Sequence, residues 1–174
     1  RKIGVILEAR LFVEEQLDVT LKIAVIGLGY VGLPLSINLA KYFPVVGFDT
    51  NLDRVKELRQ GFDRTREIVP VDLQSTSMTF SIAEEEIKSS DVFIITVPTP
   101  VDQDNKPDLT AVLDASSLVG KVIQKGAIVV FESTVYPGVT EKIAGPVLEA
   151  SSGLSCGEDF FLGYAPERIN PGDQ

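Results

Sequence analysis

The sequence predicts an α/β fold whose core is a parallel sheet with helices on both faces. A short apolar strand leads directly into a glycine-rich turn and a stretch with helical periodicity, and a second strand ends at an aspartate. Farther along, short apolar runs keep alternating with helical segments. Six strands connected in this way predict a Rossmann-like, doubly wound parallel six-stranded sheet in the order 3-2-1-4-5-6, with right-handed crossovers.

The first strand, Lys22–Ile26, leads into the glycine turn Gly27–Gly32. The strand is apolar and β-branched, as expected for a strand that is buried on both faces. In the turn, Gly27 permits the sharp reversal, Gly29 leaves room for a pyrophosphate to approach the backbone, and Gly32 lets the helix pack close to the strand. The unpaired amides and the dipole of the following helix then stabilise the phosphates without a lysine.

The second strand supplies the acid that a dinucleotide site needs. Val31–Tyr42 has apolar residues at helical spacing, and the strand Val45–Phe48 ends at Asp49, 22 positions after Gly27. A carboxylate at this position accepts hydrogen bonds from the ribose hydroxyls of an adenosine and repels a 2′-phosphate, so it favours NAD over NADP. The alternative is a glycine-rich turn beside a solvated aspartate, but the register of strand, turn, helix, strand and acid favours the NAD site.

Composition narrows the function further. The 174 residues, 44% of them hydrophobic, suit one domain with a sizeable core, and the net charge of −9 argues against a nucleic acid or an anionic membrane as partner. No apolar run is long enough to span a bilayer. The lack of histidine excludes Ser-His-Asp hydrolases, His-ligated zinc and dehydrogenases with a His base, and no metal site is predicted. The single Cys156 and the lack of a signal-like leader predict a cytoplasmic protein.

Residues 1–20 are predicted to be an extension that precedes the first strand, and residues 21–174 to form the domain. Ile3–Leu17 has a helical stripe, although Val5–Leu7 fits an extended segment equally well. Because the chain begins without methionine, we expect it to be cut from a longer protein or to carry added residues.

The helix predicted after the second strand is Asn51–Gln60, with Asn51 as its N-cap. Its Arg54 leaves two interpretations open. Either the guanidinium stacks on adenine or pairs with Asp49 near the ribose, or it is an ordinary solvated helix arginine.

The stretch Gly61–Ser77 has no clear periodicity, and a connection of this length is usually functional or mobile. Its residues Arg64–Arg66 either contact a phosphate or sugar or are simply solvated. The remaining predicted strands are Met78–Phe80, Asp91–Val97, Ala127–Phe131 and Phe160–Tyr164. The remaining predicted helices are Ile82–Lys88, a helix capped by Asp108 that runs to about Ile123, and a helix from Gly138 to about Ala150.

Three strand ends meet the glycine turn at one crevice in this topology. Pro98-Thr99-Pro100 follows the fourth strand, Ser133-Thr134 the fifth, and Glu167 the sixth. We expect Thr99 near the ribose or nicotinamide, with a plain strand-ending turn as the alternative. A hydroxyl and a carboxylate beside a nicotinamide can hold and deprotonate water or an alcohol, although Glu167 alone is equally well explained as a surface acid.

Five motifs occur in order along the chain: KIAVIGLGYVGLPL, VVGFD, DVFIITVPTP, ESTVYPG and GYAPERINPGD. Together they resemble the NAD-binding domain of the nucleotide-sugar 6-dehydrogenases, the UDP-glucose and GDP-mannose dehydrogenase family, over Leu21–Gln174. The last two motifs are most similar to the branch that acts on UDP-N-acetylhexosamines for surface polysaccharides, the Vi-antigen type. The resemblance implies two successive NAD-dependent oxidations at sugar C6, from alcohol to aldehyde to acid.

The resemblance also implies roles for individual residues. The implied cofactor contacts, from pyrophosphate to nicotinamide, are Gly27, Gly29, Tyr30, Val31, Gly32, Asp49, Arg54, Pro98, Thr99, Ser133 and Thr134. Thr134 would position the reactive hydroxyl or water, and Glu167 would be the acid/base that activates water in the final hydrolysis. The implied contacts with the UDP-sugar substrate are Glu167, Arg168, Ile169 and Asn170.

One departure from the family pattern limits what this chain is expected to do. The family's nucleophile is a cysteine in a later domain, assisted by a lysine and an asparagine on the central helix, and this sequence stops before them. Cys156 matches no such motif and is interpreted as a bystander thiol. We expect the chain to bind NAD without completing the oxidation, and the full-length protein to be a homodimer built on the central helix.

Two alternatives remain at this stage. A β-hydroxyacid dehydrogenase shares the first domain, but its first turn more often reads GxGxMG and it has no reason to present the PERINPG segment. A non-catalytic NAD-binding module would be favoured by loss of Asp49, Thr134 or Glu167, and all three are present.

Overall fold

The computed structural model describes residues 20–101 and 106–166. Within these ranges six parallel strands form one sheet in the order β3-β2-β1-β4-β5-β6, which confirms the predicted fold class. The strands are β1 Ile23–Ile26, β2 Val45–Phe48, β3 Thr79–Ser81, β4 Val92–Ile95, β5 Ile128–Phe131 and β6 Phe161–Tyr164. The predicted helix Ile3–Leu17 lies outside the described residues.

Helices connect the strands, as predicted. They are α1 Gly32–Leu39, α2 Leu52–Arg59, α3 Pro70–Ser75, α4 Glu84–Ile87, α5 Thr110–Gly120 and α6 Gly145–Ser152, the last preceded by a π-helical turn, Thr140–Ala144. The predicted N-cap of α2 is confirmed, because the Asn51 side chain accepts hydrogen bonds from the amides of Asp53 and Arg54 at 3.0 and 3.1 Å.

Alternate residues of β1 face opposite sides of the sheet, and both sides are covered. Ala24 and Ile26 belong to one apolar cluster, whereas Ile23 and Val25 belong to the other, and all four are at most 3% exposed. This explains why the strand is a continuous apolar run rather than an alternating one.

The strand register aligns the carboxyl ends of the central strands along one edge of the sheet. Ile26 lies opposite Phe48 on one side and Ile95 on the other, and Ile95 lies opposite Phe131. The segments that follow these four residues are therefore neighbours, which is the position of a ligand crevice in a doubly wound sheet.

Several predicted element boundaries differ from the structure by a few residues, and two local differences bear on the argument. The stretch Gly61–Ser77 contains α3, whose six residues are too few to show helical periodicity. Helix α5 begins at Thr110 with Leu109 at the N-cap position, so the predicted cap at Asp108 is wrong by one residue. The Asp108 carboxylate still accepts a hydrogen bond from the Thr110 amide at 2.9 Å. Side-chain hydrogen bonding with Thr110, and then this backbone bond, hold the pKa of Asp108 below its usual value.

Candidate cofactor-binding site

The glycine turn is held tightly to the sheet. Gly27 has φ +97°, in the left-handed region that favours glycine, and its amide donates to the Phe48 carbonyl at 2.8 Å. The Thr96 hydroxyl lies within hydrogen-bond distance of the Ile26 and Gly27 carbonyls, at 3.0 and 2.7 Å. A Cβ on Gly32 would lie 1.9 Å from the Gly27 oxygen and 2.4 Å from the Thr96 hydroxyl oxygen. The sequence therefore needs glycine at position 32 for close packing, as predicted.

Gly29 needs its small size for a different reason. A Cβ placed on it would meet no atom of the described residues within 4 Å, so this part of the protein does not require glycine there. Its carbonyl accepts from the Leu33 amide at 3.1 Å, which places it just before the first turn of α1. Gly29 also lines a cavity, so a side chain here would occupy ligand space rather than protein space.

Asp49 is fixed beside the glycine turn by its backbone neighbours. One carboxylate oxygen accepts from the Leu28 amide at 2.9 Å, and the other accepts from the Asn51 amide at 2.8 Å. A carboxylate has about four acceptor sites, so each oxygen keeps capacity for a ribose hydroxyl. The acid and the turn are therefore in contact, as a site for a nucleotide requires.

Two cavities adjoin along the carboxyl ends of the strands and share the wall residues Gly27, Asp49, Val97 and Pro98. The first cavity, of about 290 Å³, is lined by Ile26, Gly27, Phe48, Asp49, Thr50, Val97, Pro98, Ala111, Asp114, Ala115 and Leu118. The second, of about 220 Å³, is lined by Gly27, Gly29, Tyr30, Val31, Asp49, Thr96, Val97, Pro98, Thr99, Glu132, Ser133 and Thr134. Together they form a groove with the glycine turn and Asp49 at its middle.

Hydrogen bonds connect the ends of β4 and β5 beneath the second cavity. The Thr99 hydroxyl donates to the Thr134 carbonyl at 2.6 Å, and the Ser133 hydroxyl donates to the Val97 carbonyl at 2.6 Å. These two hydroxyl protons are already engaged, so Thr99 and Ser133 shape the wall. Thr134 is exposed at that wall, in a position to contact a ligand.

The structure excludes two of the interpretations of Arg54, namely a solvated arginine and an ion pair with Asp49. It is 4% exposed, so the solvated interpretation is wrong, and its ion pairs join it to Glu57 and Asp63 rather than to Asp49. Its Nε donates to the Leu28 carbonyl at 2.8 Å, because the inward face of α2 carries it against the glycine turn. Among the described residues its Nη2 is buried without a hydrogen-bond partner.

The loop that follows α2 is held by hydrogen bonds and ion pairs of Asp63 and Glu57, the two acids that also pair with Arg54. Asp63 accepts from Arg54 Nη1 at 2.8 Å and from the Thr65 hydroxyl at 2.7 Å, while Arg64 Nε donates to Glu57 at 2.6 Å. Arg64 and Thr65 are therefore engaged in holding the loop, which neither the phosphate nor the solvated interpretation described.

The structure brings most of the predicted site residues together. Every predicted cofactor residue except Gly32 and Arg54 lines the second cavity, and Gly32 packs beneath the turn. Glu167, Arg168, Ile169 and Asn170 lie outside the described residues. The cavities are also lined by Thr96, Glu132 and the face of α5, none of which was predicted from the sequence. The helical spacing of Ala111, Asp114, Ala115 and Leu118 was a signal for that face.

Three further possibilities are a metal site, a reactive cysteine and a membrane span, and we compared each with the described part of the chain. There, no group of three or more His, Cys, Asp or Glu side chains could hold a metal ion. Burial, with the charge of Glu149, raises the pKa of the Cys156 thiol, which disfavours the nucleophilic thiolate. Across residues 20–101 and 106–166, no helix combines the length and apolarity needed to cross a membrane.

The groove fits an ADP-containing cofactor. Open space faces Gly29, and the Asp49 oxygens retain acceptor capacity for the ribose hydroxyls. A glycine turn before a helix, an acid after the second strand and a groove over the carboxyl ends of parallel strands define a dinucleotide-binding domain.

Comparison with known proteins identifies the family. Residues 21–174 match the profile of the UDP-glucose/GDP-mannose dehydrogenase family, NAD binding domain, and the chain belongs to this family. It is 55% identical over 152 residues to Protein CapL of Staphylococcus aureus, a match that covers 87% of this chain and 36% of that protein. It is 54% identical over 155 residues to a UDP-N-acetyl-D-glucosamine 6-dehydrogenase of Pseudomonas aeruginosa, a match that covers 88% of this chain and 37% of that protein.

A solved structure supports the same assignment. The UDP-D-ManNAc dehydrogenase of Pyrococcus horikoshii is similar with a TM-score of 0.80 and 38% identity, covering 87% of this chain and 37% of that chain. The cofactor of this domain is NAD. The chain spans 36% and 37% of the length of the two curated relatives. These matches therefore do not assign the activity of a whole dehydrogenase to this chain.

Proposed function

We propose that residues 21–174 are the cofactor-binding half of a UDP-N-acetylhexosamine 6-dehydrogenase, and that residues 1–20 are an extension. The whole enzyme would oxidise the C6 hydroxyl of a UDP-N-acetylhexosamine, or of UDP-glucose, to the uronate with two NAD for surface polysaccharide biosynthesis. The assignment of NAD as the cofactor rests mainly on the hydrogen bond from the Leu28 amide to Asp49. This bond joins the carboxylate that would accept the ribose hydroxyls to the glycine turn that would hold the phosphates. The sugar part is supported by the names of the similar relatives.

The residues of the groove divide into three roles in this proposal. The glycine turn receives the diphosphate, Asp49 holds the adenosine ribose, and Thr99, Ser133 and Thr134 shape the nicotinamide side. Arg54 lines neither cavity and would support the adenosine end through its hydrogen bond to the Leu28 carbonyl. When bound, NAD accepts a hydride from C6 of the sugar in each oxidation. The exposed hydroxyl of Thr134 is available to hold the reacting alcohol or water.

The sugar side of the proposal rests on the segment after β6. Glu167 would act as the acid/base for the final hydrolysis, and Arg168, Ile169 and Asn170 would line the sugar site together with it. These residue roles come from the resemblance of the PERINPG segment to the family, and the substrate branch and surface-polysaccharide role from PERINPG together with ESTVYPG. The cytoplasmic location and the homodimeric state of the full-length protein stay predictions.

Asp49→Asn is expected to weaken the preference for NAD over NADP. The amide removes the charge that repels a 2′-phosphate, and its nitrogen cannot accept one of the two backbone hydrogen bonds, so NAD affinity falls about tenfold while NADP affinity rises. Calorimetric titration with both cofactors measures the two changes. Asp53→Asn, an exposed acid in the first turn of α2, is the matched control and should leave both affinities unchanged. Equal affinities of the wild-type chain for NAD and NADP would contradict the role of Asp49.

The substrate class is tested by cofactor reduction. The full-length protein should form two NADH per UDP-N-acetylglucosamine or its epimer, whereas this chain alone should bind NAD and form none. Absorbance at the NADH band, with UDP-glucose and a small 3-hydroxyacid as competing substrates, distinguishes the candidates. A preference for the hydroxyacid would favour a β-hydroxyacid dehydrogenase, and turnover by this chain alone would show that the catalytic nucleophile has been misassigned.

A further inference from the structure

The first cavity has one feature that the proposed cofactor contacts do not use. Its α5 wall is the face formed by Ala111, Asp114, Ala115 and Leu118, at helical positions i, i+3, i+4 and i+7. Three of these residues are apolar, as expected for a wall that contacts a flat ring. Asp114 places a carboxylate in the middle of that wall.

The location of the cavity identifies the part of the cofactor that it receives. Asp49 is common to both cavities and accepts the adenosine ribose, and the second cavity contains the glycine turn and the nicotinamide side. The first cavity therefore lies beyond the ribose, on the side of the base. Its wall is mainly apolar, from Phe48, Val97 and Leu118 among others, as an adenine ring requires.

The Asp114 carboxylate is available for a ligand. In the described part of the chain it has no hydrogen-bond or ion-pair partner, in contrast to Asp49, whose two oxygens both accept backbone amides. An ionised carboxylate can only accept hydrogen bonds. In an adenine ring the hydrogen-bond donor is the exocyclic 6-amino group, whereas the ring nitrogens are acceptors that a carboxylate would repel.

We propose that Asp114 is a specificity-determining residue that accepts a hydrogen bond from the 6-amino group of the cofactor's adenine. The small side chains of Ala111 and Ala115 leave room for the ring beside α5, and Asp114 then recognises its amino edge. The groove would thereby select adenine among purine bases, in addition to selecting against a 2′-phosphate through Asp49. This inference rests on NAD binding in the groove and is independent of the sugar that the whole enzyme oxidises.

The test compares NAD with nicotinamide purine dinucleotide, in which hydrogen replaces the 6-amino group. The wild-type chain should bind NAD about tenfold more tightly than the analogue, the effect of one hydrogen bond to a charged group. Asp114→Ala should lose about tenfold in NAD affinity, with little change for the analogue, so that the two affinities converge. Calorimetric titration of each pair gives the four dissociation constants.

One control variant and two contrary outcomes complete the test. Asp72→Asn, an exposed acid that lines a different cavity, should keep the wild-type ratio between the two cofactors. Equal losses for NAD and the analogue in Asp114→Ala, or unchanged NAD affinity, would overturn the role of Asp114. Failure of the wild-type chain to bind NAD would instead overturn the placement of the cofactor, so the two failures are distinguishable.

Discussion

A Gly29→Ala variant should unfold at the same denaturant concentration as the wild-type chain and yet bind NAD about a hundredfold more weakly. Within residues 20–101 and 106–166 the added methyl group meets no atom at less than 4 Å, so we expect only a small backbone effect on folding. The same methyl group occupies the space through which the diphosphate reaches the backbone amides of the turn. Urea unfolding and calorimetric titration of the same preparation separate the two effects.

Gly32→Ala is the counterpart on the other side of the turn. Its Cβ would lie 1.9 Å from the Gly27 oxygen, so the backbone must move, and we expect the free energy of unfolding to fall by about 3 kcal/mol. If Gly32→Ala loses NAD binding, the disturbed backbone is a sufficient explanation. If Gly29→Ala loses NAD binding while folding normally, the loss shows that the cofactor occupies the space beside Gly29. Full NAD affinity in Gly29→Ala would show that the diphosphate does not cross the turn.

Replacing Asp63 with alanine should lower the free energy of unfolding by about 3 kcal/mol. The Asp63 side chain is 1% exposed and pairs with the buried Arg54, which would keep only Glu57 as a counter-charge. The amides of Thr65, Glu67 and Ile68 would also lose their acceptor. Urea unfolding measures the change, and Asp72→Ala, at an exposed acid, is the control and should cost much less.

The same residue should make stability depend on pH in acid. Burial raises the pKa of Asp63, but hydrogen bonds from Thr65 and Arg54 outweigh it, so the folded-state pKa lies below the model-peptide value of 3.8. The stabilisation is therefore complete above that value and is lost as pH falls through the folded-state pKa. The wild-type chain should lose stability more steeply than Asp63→Asn in unfolding experiments between about pH 5 and pH 2.5. Parallel curves for the two proteins would contradict this account.

The sequence was sufficient for the features that depend on local spacing. The strand, glycine turn, helix, second strand and acid follow one another along a short stretch of the chain. The contact between the turn and Asp49 could therefore be predicted from their spacing. Features that need distant partners could not be predicted. Burial of Arg54 depends on its ion pair with Asp63, which lies in a loop without periodicity. Asp114 lines the cofactor groove only because the fold places α5 beside the ends of β1, β2 and β4.

The dual attachment of Asp49 to the main chain has a consequence for the timing of the reaction. Because both oxygens already hold backbone amides, the nucleotide cradle is preorganised, and little conformational entropy is lost when the cofactor associates. The proposed whole enzyme would use two NAD molecules for one sugar, so it would have to release the first, once reduced, and admit the second. A cradle that keeps its shape while empty allows that exchange to proceed without being rebuilt between the two half-reactions.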